Sequence, residues 1–94
     1  RNKNILICGL TYKKNVADLR NSLAFEIFEI LKKRYKNIRG YDPLLSNETI
    51  IKNKLIPKNS NIKKFAIYIL LTPHDLIIQK LKNLKNKNII KILN

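Results

Sequence analysis

The sequence predicts a small three-layer α/β domain with a mostly parallel sheet of about four strands. Three observations carry this reading. Residues 4–9, Asn-Ile-Leu-Ile-Cys-Gly, form a continuous apolar run ending in glycine, as expected of a strand buried on both faces. The run Phe65–Leu71 has the same character and is the strongest strand signal in the chain. Between them a helical pattern and a short second strand complete a βαβ unit, which places the strands in parallel.

Taken in order, the first strand is followed by a polar, aperiodic stretch from Leu10 to Asn21, a loop long enough to suggest a functional role. From Ser22 onward Ala24, Ile27, Phe28 and Leu31 recur at helical spacing, and Lys32, Lys33 and Arg34 suit the negative end of the helix dipole. Asn21 or Ser22 can cap its start. Ile38–Tyr41 reads as the second strand, closed by the Asp42-Pro43 turn. Leu44–Asn61 predicts a short helix or an irregular connection. After the third strand, Thr72-Pro73-His74-Asp75 forms a turn in which Asp75 can cap a helix running to about Leu84, and Ile89–Leu93 is the last strand.

Ninety-four residues with 45% hydrophobic content suffice for one domain spanning residues 1–94. The chain begins at Arg1 three residues before its first apolar run, which suggests a piece excised from a longer protein. Its longest apolar stretch is far short of the roughly 20 residues that span a bilayer, and no secretory leader opens it. No membrane partner and a cytoplasmic location are therefore expected. The single cysteine, Cys8, cannot form an internal disulfide, and no Cys/His cluster has zinc spacing. No metal is expected.

The formal charge of +14 raises the alternative of a basic nucleic-acid-binding module. Two features weigh against it. Asn, Lys and Ile make up nearly half of the chain and share A/T-rich codons, and only four of the 20 basic residues are arginine, the side chain suited to bidentate recognition of phosphate and bases.

In open parallel sheets ligands bind beyond the carboxyl ends of the strands. Three loops are expected to share that edge: Gly9–Asn21, Asp42-Pro43 and Thr72–Asp75. Together they gather Lys13, Lys14, Arg20 and His74, a group suited to anionic phosphates. Gly9 stands alone, without the Gly-x-Gly-x-x-Gly of a dinucleotide site, so independent NAD binding is not expected. No catalytic constellation is legible, and Cys8 inside a buried strand reads as inert.

Residues 9–22, Gly-Leu-Thr-Tyr-Lys-Lys-Asn-Val-Ala-Asp-Leu-Arg-Asn-Ser, closely resemble the loop G-x-x-[FY]-K-x-[ND]-x-x-D-x-R-x-S in the C-terminal, UDP-sugar-binding domain of the UDP-glucose/GDP-mannose dehydrogenase family. Tyr41-Asp42-Pro43 and Leu71-Thr72-Pro73-His74-Asp75 are similar to that family's turns after the second and third strands. The resemblance implies a Rossmann-like fold and part of an enzyme that oxidises a nucleotide sugar to its uronate in two NAD-dependent steps, for surface polysaccharides. It further implies that NAD and the catalytic cysteine belong mainly to other domains, and that the whole enzyme is a homo-oligomer.

By the same resemblance Tyr12 and Lys13 match an aromatic-lysine pair that contacts substrate, and Arg20 matches an arginine that reaches NAD across the domain cleft. No residue of this chain is expected to be catalytic. Asp18 suits a loop acceptor orienting Arg20, Asp42 a turn residue, and His74 a structural role. Two departures stand out. Leu23 replaces a proline common at that point, and Leu93 stands where the family has a substrate-contacting arginine. A degenerate, non-catalytic interaction domain is the remaining alternative.

Overall fold

A computed structural model describes residues 3–84 and 88–92. Strand β1 (Ile5–Cys8) is followed by helix α1 (Leu23–Arg34), strand β2 (Ile38–Tyr41), helix α2 (Asn47–Lys52), strand β3 (Ile67–Leu70), helix α3 (Asp75–Lys82) and strand β4 (Asn88–Lys91). The strands form one parallel sheet in the order β2-β1-β3-β4. The chain thus leaves β1 for one side, then crosses back to β3 on the other. That reversal puts the switch point between the carboxyl ends of β1 and β3.

The unbroken apolar run of β1 has a simple cause, because both of its faces are covered. Leu6 and Cys8 point into a core shared with Tyr68, Leu70, Ile77 and Leu81, beneath α3. Ile7 points the other way, into a core with Ala24, Phe28, Ile50 and Leu55, beneath α1 and α2. Helices on both faces of the sheet make the three layers. Burial is complete at Leu6, Ile7 and Cys8, all at 0% exposure.

Ser22 starts α1 by accepting a hydrogen bond from the Phe25 amide at 3.1 Å, the expected capping geometry. Ala24 and Phe28 form the buried stripe, flanked by the partly buried Ile27 and Leu31. Phe28 lies against β2 at Gly40, where an added Cβ would meet the phenyl ring at 2.7 Å. The segment between β2 and β3, expected to be a short helix or irregular, contains both. Ser46 caps α2, whose Ile50 is buried, and a 3₁₀ turn at Ile62–Lys64 leads into β3. The pair Leu55-Ile56 straddles the sheet edge, one side chain entering each core.

Several boundaries differ from the sequence reading. β3 begins at Ile67, because Phe65 folds into the core ahead of the strand and Ala66 is bonded through its amide to the Asn4 carbonyl. α3 ends at Lys82, and Leu84 packs on the core from beyond the helix. Asp75 is the first residue of α3 and His74 takes the cap position without a side-chain capping bond, so Asp75 does not cap this helix. β4 is Asn88–Lys91, one residue earlier at its start than expected; Ile92 follows the strand, and the expected end at Leu93 lies outside the described residues.

Gly9 ends β1 at φ +84°, and a Cβ there would lie 1.9 Å from the Thr72 carbonyl oxygen. Left-handed backbone and backbone contact both require glycine. Gly9→Ala is expected to destabilise the fold by at least about 2 kcal/mol, measured by chemical denaturation.

Candidate functional site

The loop between β1 and α1 is polar, yet its start is stitched to the sheet and the rest is bonded largely across itself. Gly9 donates to the Tyr41 carbonyl at 3.0 Å, and the Leu10 amide donates to Asp42 Oδ2 at 2.8 Å. Thr72 Oγ1 donates to the Thr11 carbonyl at 2.8 Å. The Ser22 hydroxyl, besides capping α1, donates to the Leu10 carbonyl at 2.6 Å and so closes the loop on itself. Tyr12 donates its amide to the Asp18 carbonyl at 2.8 Å, and Val16 donates to the Lys13 carbonyl at 3.2 Å. The three loops expected to share one edge do meet there.

Asp42 and His74 lie at the centre, both at 0% exposure. His74 Nε2 is 2.9 Å from Asp42 Oδ2 and 3.0 Å from Thr11 Oγ1, while its Nδ1 accepts from the Asn15 amide at 2.8 Å. An Nδ1 that accepts an amide proton carries none itself, so the ring is neutral with its proton on Nε2, shared between Asp42 and Thr11. Thr11 is free to accept because its own hydroxyl proton goes to the Lys13 carbonyl at 3.2 Å. Asp42 Oδ1 takes a further bond from Leu44 at 3.0 Å, which is the expected turn role. Three donors on one carboxylate offset its burial. His74 therefore belongs to the framework and does not face a ligand.

Asn15 supplies what the sequence reading assigned to Asp75. Its Oδ1 accepts from the Asp75 amide at 3.0 Å, covering the first amide of α3, and its Nδ2 donates to Asp75 Oδ2 at 3.0 Å. It does so at φ 60°, a conformation that asparagine tolerates better than most residues. Lys14 pairs with Asp75 Oδ1 at 3.2 Å, so this lysine is engaged within the loop cluster. The Asn15 hydrogen bond and Lys14 together hold the Asp75 carboxyl below its usual range.

Tyr12, Lys13 and Arg20 all reach the surface, Tyr12 at 58% exposure. Lys13 has no ion pair among the described residues. Arg20 binds Asp18 through two contacts, Nε to Oδ1 at 3.1 Å and NH2 to Oδ2 at 3.0 Å, and its amide donates to Oδ1 at 2.9 Å. These bonds lower the Asp18 pKa and raise that of Arg20. With its side chain 87% exposed, the pair adds little stability, but it aims the guanidinium outward along one line. The edge presents an aromatic ring, an ammonium and a guanidinium. The Leu93 position lies outside the described residues.

Cys8 faces the core beneath this edge. Burial, reinforced by the negative charge of Asp42, pushes its pKa up to about 12. Burial likewise raises Tyr41 to about 12, and its hydroxyl has no hydrogen-bond partner among the described residues. A cavity of about 400 Å³ lies at the opposite edge, at the amino ends of the strands, lined by Asn4, Lys36, Arg39 and Lys64 among others. Among the described residues no His, Cys, Asp and Glu cluster could hold a metal, and no helix is long and apolar enough to cross a membrane.

Residues 6–93 match the family model described as the UDP-glucose/GDP-mannose dehydrogenase family, UDP binding domain. No curated protein and no solved structure matches the chain.

Cys8 is expected to resist thiol reagents near neutral pH until the protein unfolds, as followed by a chromogenic disulfide. Raised folded-state pKa values at Cys8 and Tyr41 place their stabilising contribution below the unfolded values of 9.0 and 10.0. That contribution is lost as pH rises toward about 12, because only the unfolded chain can ionise them readily. Denaturation midpoints should fall across this window.

Proposed function

The chain belongs to the UDP-glucose/GDP-mannose dehydrogenase family, as its UDP-binding domain, and from that premise we propose that it binds a UDP-sugar through Tyr12 and Lys13. The observation that carries the proposal is the anchored Gly9–Asn21 loop at the switch point, with Tyr12, Lys13 and Arg20 exposed on it. Lys13, without an ion pair among the described residues, offers its ammonium to the diphosphate, where charge-assisted hydrogen bonds are strong. Tyr12 offers a ring face or hydroxyl beside it.

The parent enzyme, in this reading, is an NAD-dependent nucleotide-sugar 6-dehydrogenase that converts UDP-glucose or a UDP-N-acetylhexosamine to the uronate for surface polysaccharides. It is cytoplasmic and homo-oligomeric, and residues 1–94 are one domain of it. NAD would accept hydride in both oxidation steps. The residues present suit contact with NAD but not its retention. Arg20 aims a guanidinium outward, suited to a phosphate held by another domain. The pyrophosphate position of a dinucleotide fold is closed here, since Gly9 packs on the Thr72 backbone and Leu10 is tied to Asp42. Cys8 is sealed in the core, and both ring nitrogens of His74 are occupied. The proton and nucleophile chemistry is therefore assigned to the rest of the enzyme.

Titrating the chain with UDP by NMR or calorimetry tests this. Binding should perturb Tyr12 and Lys13, and Lys13→Ala should weaken it about tenfold. Arg20→Ala should leave UDP affinity within about twofold, since its partner is NAD. The chain alone should form no NADH from a UDP-sugar and NAD. UDP binding unaffected by Lys13→Ala would overturn the assignment.

A further inference from the structure

The poses of Tyr12 and Lys13 depend on the loop backbone, because both side chains are exposed. That backbone is held on either side of the pair by one rigid body, the His74 ring. Ahead of the pair, Nε2 meets Thr11 Oγ1 at 3.0 Å. Beyond it, Nδ1 accepts from the Asn15 amide at 2.8 Å. The same Nε2 is fixed to Asp42 at the end of β2, at 2.9 Å. Thr11 passes the constraint on by donating to the carbonyl of Lys13 itself, at 3.2 Å. Asn15 passes it to α3 through both atoms of its amide.

We propose that His74 is a positioning residue for the UDP-binding loop: neutral, with its proton on Nε2, it spans Thr11 and Asn15 and so sets where Tyr12 and Lys13 stand. This rests on the reading of that loop as the UDP site. Neither nitrogen is left to contact substrate. Each nitrogen also has a separable task. Nδ1, as an acceptor, fixes the loop beyond Lys13, whereas Nε2–H ties the ring to the sheet.

Two variants separate those tasks. In His74→Asn the amide oxygen falls near the place of Nδ1 and can still accept from Asn15, but nothing reaches Asp42. In His74→Gln the longer amide can donate to Asp42, and the acceptor beside Asn15 is lost. Each removes part of one buried network, so both should lower the denaturation midpoint. UDP affinity should divide them: His74→Asn stays within about threefold of wild type, and His74→Gln loses about tenfold. Affinity losses that simply follow the stability losses would overturn the proposal, as would equal affinity in all three proteins.

A second measurement needs no variant. The imidazole ¹⁵N spectrum of the wild-type chain should show an unprotonated Nδ1 coupled to the Asn15 amide and a protonated Nε2. A protonated Nδ1 overturns the proposal even if the variants fail to fold. Failure of the wild-type chain to bind UDP would instead remove the proposed function, and the ¹⁵N spectrum would then decide the anchoring alone.

Discussion

The Asp42 carboxylate, fully buried at the end of β2, is the contact on which the loop edge at the carboxyl ends of the strands depends. A charge removed from water is costly unless its lone pairs are filled, and here the filling groups come from three places in the chain. Leu10 brings the start of the long loop, His74 brings the end of β3, and Leu44 closes the turn after β2. Satisfying one buried carboxylate thereby draws together the carboxyl ends of β1, β2 and β3. The turn residue and the loop clamp are the same side chain.

This arrangement divides the loop into framework and display. Thr11, Ser22 and His74 are buried and hydrogen-bonded, whereas Tyr12, Lys13 and Arg20 reach solvent. The division explains why a charged surface of +14 does not by itself define the site. Lys14 shows the contrast, since it neighbours Lys13 in sequence but is drawn to Asp75. An exposed cation becomes specific only where the backbone beneath it has no freedom. Buried polar contacts provide that, and surface ion pairs such as Arg20–Asp18 contribute direction more than stability.

Much of the fold was legible because its signals are local. β1, α1 and β2 follow from apolar runs and helical spacing within a few residues, and of the two cap candidates, Asn21 and Ser22, Ser22 takes the place. At residues 9–22 the short spacing of Asp18 and Arg20 likewise anticipated their pairing. The clamp was not legible, because its contacts span long separations. His74 reaches Thr11 across 63 residues and Asp42 across 32, and Asn15 covers the first amide of α3 from 60 residues away. Asp75 looked like a cap because it precedes an apolar pattern, yet a distant asparagine had taken that task. Phe65 similarly read as strand from its neighbours, although the core claims it before β3 begins.

Leu10–Asn15 is a fixed platform and not a free loop. Amide hydrogen exchange followed residue by residue tests it directly. The amides of Leu10, Tyr12 and Asn15 are expected to exchange about as slowly as that of Ile7 in β1, because their acceptors are Asp42, the Asp18 carbonyl and His74. Exchange at the rate of an unprotected loop at these three amides, with β1 still slow, would contradict it.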